Sequence, residues 1–282
     1  MAEPRPGPGG DPTEKGVLRC WVSGIGLLGP GLPGWEGSEA VLAGREAWQD
    51  APLAVPPPAL LAPTERRRTS PAVRLALAAA GAATADSGLD PASLDSVFAS
   101  SNGDGAVVGA ILDALATPDG VVSPTQFHNS VHNAAAGYWG IGTGSTRPSV
   151  SLGCHDDTFA AGLLQAAVQV ATRGVPVLLC AYDAPLAPPL DAVRPTAVSF
   201  AVALVLVPQP DAGSRAALRL RYATAAPAVD APPPGSASRA LAAGNPAARA
   251  LPLLEAIAAR RAAALAIPLL DDAWLAVEVT PC

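Results

Sequence analysis

Lysine is almost absent: the 282 residues contain one, Lys15. Histidine is nearly as scarce, with His128, His132 and His155 and none beyond. With no lysine after position 15, an S-x-x-K hydrolase is excluded, and neither Ser145 nor Ser151 sits in a G-x-S-x-G. The four cysteines, Cys20, Cys154, Cys180 and Cys282, form no C-x-x-C. Such sparse, irregular spacing predicts free thiols in a reducing compartment. No apolar stretch reaches membrane-spanning length without proline, glycine or charge, so a soluble cytoplasmic chain is expected. A net charge of −6 gives no pull towards nucleic acid or an anionic membrane surface.

What the chain has in quantity is small apolar side chains. Half of it is hydrophobic although aromatics make up only 4 %. That is ample for a core in one large domain or two small ones. The first sixteen residues are rich in proline and glycine, lack a signal-peptide core, and are expected to be a disordered tail.

From Val17 the pattern alternates between strands and helices. Strands are predicted at Val17 to Val22, Val97 to Ser100, Ser149 to Leu152, Pro176 to Ala181, Phe200 to Val207, Ala216 to Tyr222 and Trp274 to Thr280. Helices are predicted at Trp35 to Glu46, Ala72 to Asp86, Ala106 to Ala116, Thr158 to Thr172 and Leu251 to Leu265, with a helix-cap-like start at Ser123. Ser70 and Pro71 are a cap followed by a proline suited to the first helical turn, and Gly88 is a stop. The Thr158–Thr172 segment carries no charge and is apolar nearly all round, so it should be buried. Residues 226–248 and the arginine run Arg66–Arg68 read as loop. The alternation implies an α/β layered core.

Two motifs invite chemistry. Gly24 to Gly29 matches G-x-G-x-x-G, but Pro30 and Pro33 follow where a phosphate-binding helix would have to begin, so a nucleotide site is not expected. Gly153-Cys154-His155-Asp156-Asp157-Thr158 sets a cysteine beside a histidine where a strand gives way to a helix. Neighbours on a strand face opposite ways, which does not suit a nucleophile and its base. His128 and His132 would share a helix face, yet position 129 is asparagine rather than the glutamate of H-E-x-x-H, and no third ligand stands at a motif spacing. No metal and no cofactor are expected.

Four stretches together, "VSGIGLLGPG", "VFASSNGDG", "SPTQFHNSVHNAAAGYWGI" and "SVSLGCHDDTFAAGLLQAA", resemble the N-terminal half of a β-ketoacyl synthase of the thiolase fold. They are most similar to the chain-length-factor-like subunits of aryl polyene and type II polyketide systems. The resemblance implies a thiolase-like layered fold with an intact first half, 17–208, and a shortened second part, 209–282. It places Asp156 at the position of the family's nucleophilic cysteine, with Cys154 two residues earlier. A cysteine there would gain thiolate character from the helix N-terminus. An aspartate there should act as a helix cap, together with Asp157. The family also uses two histidines and a lysine from its second half, and this chain has neither type there.

The expected function is therefore a non-catalytic partner of an active ketosynthase in polyketide or fatty-acid-type chain elongation, reaching an acyl carrier protein through that complex. In the implied heterodimer the strand Ser149, Val150, Ser151, Leu152 pairs with its equivalent. Phe127, His128, Val131, His132, Tyr138 and Trp139 would lie at the tunnel or interface and limit product length by bulk. Two rivals are an acyltransferase or decarboxylase that uses Cys154 or Asp156, and a purely structural paralogue.

Overall fold

The computed structural model describes residues 16–231, 234–270 and 272–282; all but the last residue of the expected tail lies outside them. The chain begins with β1 (Leu18–Leu28), α1 (Trp35–Leu42), α2 (Pro63–Arg68), α3 (Pro71–Ser87), β2 (Asp95–Ala99), α4 (Gly105–Ala116), α5 (Pro124–Asn129) and α6 (Ala134–Thr143). It continues with β3 (Ser149–Leu152), α7 (Thr158–Arg173), β4 (Val177–Asp183), α8 (Leu190–Val193), β5 (Phe200–Val207) and β6 (Ala216–Ala223). It closes with α9 (Ser236–Gly244), α10 (Leu251–Ala258), β7 (Ala263–Pro268) and β8 (Trp274–Pro281). The strands form one eight-stranded sheet in the order β3-β2-β4-β5-β1-β6-β8-β7. β2 runs parallel to both β3 and β4, and every other pairing is antiparallel.

Helices cover both faces, which is the layered α/β arrangement expected. Alternation along the strands sorts the side chains. On one face α3 and α6 pack against Phe98, Leu178, Cys180 and Val205. On the other, α7, α10 and the 3-10 turn Pro246–Ala250 join a core with Val22, Leu179 and Leu204, extended by Leu265, Val277 and Val279 of the closing hairpin. Each buried leucine or valine contributes roughly 1.5–3 kcal/mol, so the two interfaces hold the layers together.

The G-x-G-x-x-G stretch lies inside β1. A Cβ at Gly24 would collide with the Ala83 carbonyl, and one at Gly26 with the Ala79 carbonyl. These glycines let α3 lie directly on the strand, a packing role rather than a phosphate-binding one.

Four expectations are corrected. Residues 226–248 are not all loop: α9 and the following 3-10 turn form there because Ala237 and Leu241 have a core to enter. The Leu251–Leu265 segment is not one helix. It stops at Ala258, Arg260 turns the chain with φ 47°, and Ala263, Leu265 and Ile267 point inward from β7. Arg66–Arg68 lie on α2, not in a loop. His128 and His132 do not share a helix, since α5 ends at Asn129.

Among the described residues no helix is long and apolar enough to cross a membrane. The four cysteines are unpaired.

Candidate functional site at the turn between β3 and α7

β3 leaves the sheet at Leu152, and Gly153 passes close to the Ser100 carbonyl, where a Cβ would approach to 2.8 Å. His132 Nε2 donates to that same carbonyl at 2.9 Å, so this histidine supports the turn. His155 adopts a left-handed φ of 47°. The turn is tied internally. Cys154 N–H donates to Thr158 Oγ1 at 2.9 Å, and that hydroxyl donates to the His155 carbonyl at 2.7 Å.

The two carboxylates do not cap α7, contrary to expectation. Asp157 is the N-cap residue, yet its side chain accepts no bond from the first turn. Arginines and a remote backbone N–H draw both carboxylates away. Asp156 meets Arg194 at 2.5 Å and Arg249 at 3.2 Å. Asp157 meets Arg249 at 2.7 Å and accepts from Leu270 N–H at 3.1 Å. His155 Nδ1 stands 3.6 Å from Asp156. Residues 194, 249 and 270 thus converge on one turn from three separate parts of the chain.

Burial works to raise the Asp156 pKa, but the Arg194 hydrogen bond and charge, with Arg249 and His155, outweigh it and hold the carboxyl below its ordinary value. The Cys154 thiol moves the other way, raised by burial and by Asp157. It is therefore protonated near neutrality, the wrong state for a nucleophile. Arg194 reaches further, to Ser101 Oγ at 2.6 Å and Asn102 Oδ1 at 3.2 Å. Behind it, buried Asp183 accepts from Ser100 Oγ at 2.9 Å and Asn102 N–H at 3.1 Å. Burial lifts Asp183 to about 6, against the opposing pull of those bonds and of Arg194.

A guanidinium stays protonated at any working pH and cannot shuttle a proton. The arginines facing position 156 can bind charge but cannot act as general acid or base. Among the described residues no group of three His, Cys, Asp or Glu side chains is placed to hold a metal ion.

The remaining sequence candidates divide. Tyr138 and Trp139 are buried in this chain's own core, with Trp139 6.3 Å from Phe98. Phe127 and Val131 are exposed, and the His128 ring meets Tyr138 edge-on at 5.8 Å. Glu65, Arg68, His128 and Ile141 line a cavity of about 500 Å³ beside them. Sequence reasoning missed Arg194 and Arg249. The only signal was that arginine is the sole permanent cation in the second half.

The profile of the family described as β-ketoacyl synthase, N-terminal domain, matches residues 42–241. The chain belongs to the β-ketoacyl synthase N-terminal domain family. Its fold is shared with a chain of the ketosynthase ApeO in complex with its chain length factor ApeC from Xenorhabdus doucetiae. That match has 21 % identity and a TM-score of 0.69, covering 93 % of this chain and 99 % of the other. A chain of the ishigamide ketosynthase/chain length factor gives 14 % identity and a TM-score of 0.69, covering 94 % and 99 %. The module 1 ketosynthase of the bacillaene synthase from Bacillus amyloliquefaciens gives 16 % identity and a TM-score of 0.55, covering 73 % of this chain but 46 % of its own. Among curated proteins nothing matches. The β-ketoacyl synthase fold is thus present in a chain about as long as the first two structures and much shorter than the third.

Proposed function

We propose that this chain is a non-catalytic, chain-length-factor-like partner of an active β-ketoacyl synthase. The observation that carries the proposal is Asp156, held by Arg194 and Arg249 at the position where the family resemblance places a nucleophile. A carboxylate pinned by two permanent cations neither attacks a thioester nor moves a proton.

The surface supports a partner. β3 pairs only with β2 among the described residues, and its sequence Ser149-Val150-Ser151-Leu152 has no charge or proline to guard a free edge. α4 carries one charge in twelve residues and buries only Gly105, Val107 and Gly109. Leu112, Leu115, Phe127, Val131 and Ile141 are exposed on α4, α6 and the α5 region. Exposed apolar side chains in such number are characteristic of an interface. In this reading Phe127 and Val131 face the partner's acyl tunnel, beside His128, which Tyr138 backs. The partner delivers the acyl carrier protein.

Co-expression with an active ketosynthase tests the reading. A stable one-to-one complex is expected, Leu115→Glu should abolish it, and Phe127→Ala should lengthen the product. Condensation or decarboxylation by the isolated chain would overturn it.

A further inference from the structure

At the opposite edge of the sheet from β3, a groove of about 400 Å³ runs between β7, α9 and residues Val229, Ala231 and Pro234. Its walls are apolar: Val229, Ala242, Pro252, Leu265 and Ile267 supply most of them. Two guanidinium groups, Arg239 and Arg249, also line it. Arg249 is neutralised by Asp156 and Asp157. Arg239 is exposed and donates to the Pro234 carbonyl, with no carboxylate partner among the described residues. Ser238, on the same wall, is 2 % exposed, and its hydroxyl has no hydrogen-bond partner.

The backbone adds a further polar group. Ala264 exchanges both hydrogen bonds with Asp230 outside the sheet. By the alternation of an antiparallel ladder, Ala266 presents its N–H and C=O to that side as well. Pro268 has no N–H to offer. One free residue is too short for a peptide strand to add itself to this edge. The volume lies within the range of small-molecule sites and holds about a dozen groups of water size, at about 30 Å³ each.

We infer that this groove binds an amphipathic monocarboxylate, a medium-length aliphatic chain along the apolar walls with its carboxylate on Arg239. Binding is non-covalent, since no thiol lines the groove. The groove shares Arg249 with the two carboxylates of the turn after β3, so it borders that turn.

Decanoate titrated into the purified full chain, followed by calorimetry, tests the inference. Saturable one-to-one binding is expected. Arg239→Gln should weaken decanoate about fivefold and leave methyl decanoate unchanged. Ala242→Trp, which fills the groove, should weaken both at least tenfold, and Ala266→Phe should do the same if Ala242→Trp fails to fold. Absence of saturable binding, or binding that survives both groove-filling variants, overturns the inference. So does binding abolished by Leu115→Glu, which would place the ligand on the apolar face of α4. Loss of ketosynthase binding with decanoate binding intact would overturn only the partnership.

Discussion

β3 is pinned at both ends by the same kind of device, one aspartate between two arginines, in opposite settings. At its start the wholly buried Asp95 of neighbouring β2 holds Arg147, two residues before β3, and Arg173, each 2.7 Å away. At its exit Asp156 is 39 % exposed, with Arg194 at 2.5 Å and Arg249 at 3.2 Å. Chemistry and pairing match, and burial differs. A buried carboxylate stripped of water depends on its partners, whereas a half-exposed one can fall back on solvent. The first triad is therefore mainly structural. In the proposed reading the second occupies the turn where an enzyme of this family would keep its nucleophile.

The largest effect should come from the buried end. Arg147→Ala combined with Arg173→Ala strips both cations from the buried Asp95 carboxylate. Chemical denaturation should show a loss of about 3 kcal/mol. A loss below about 1 kcal/mol would mean that the two triads do not differ in kind.

A smaller effect, with a distinct pH signature, is expected at Asp183, the buried carboxylate behind the exit triad. Its folded pKa of about 6 lies above the ordinary 3.8, so the folded state holds the proton more tightly. That contribution favours folding below about pH 4 and is lost as the pH rises through 6. Asp183→Asn keeps an acceptor for Ser100 and Asn102 and removes the ionisation. Stability at pH 7 should rise by about 2 kcal/mol, with little change near pH 4. An unchanged pH profile between about 4 and 6 would show that Asp183 does not titrate there.

How much of this is legible in the sequence follows from distance along the chain. Ser70, Pro71 and Gly88 bound α3 as read, because caps and stops are local signals. The apolar runs read at 97–100, 176–181 and 200–207 overlap β2, β4 and β5 for the same reason. The Leu251–Leu265 stretch misleads because alanine fits a helix and an inward-facing strand position equally, leaving the period undecided. The unusual residue at 156 is visible, but not what holds it: Arg194 and Arg249 lie 38 and 93 positions away, and an arginine in sequence reads as a solvated charge. Tyr138 and Trp139 read as tunnel residues because the block around them is distinctive. Their burial against β2 depends on how α6 packs.

The smallest effect should come from Asp156 itself. Asp156→Ala removes one carboxylate from a partly solvated cluster, and Arg249 keeps Asp157 as its partner. Exposed pairs contribute little, so a loss of about 1 kcal/mol or less is expected, shrinking further at high salt. The same variant in the reconstituted complex should leave turnover unchanged if position 156 has no part in the reaction. A large fall in turnover with stability preserved would return this turn to catalysis and break the contrast with Asp95.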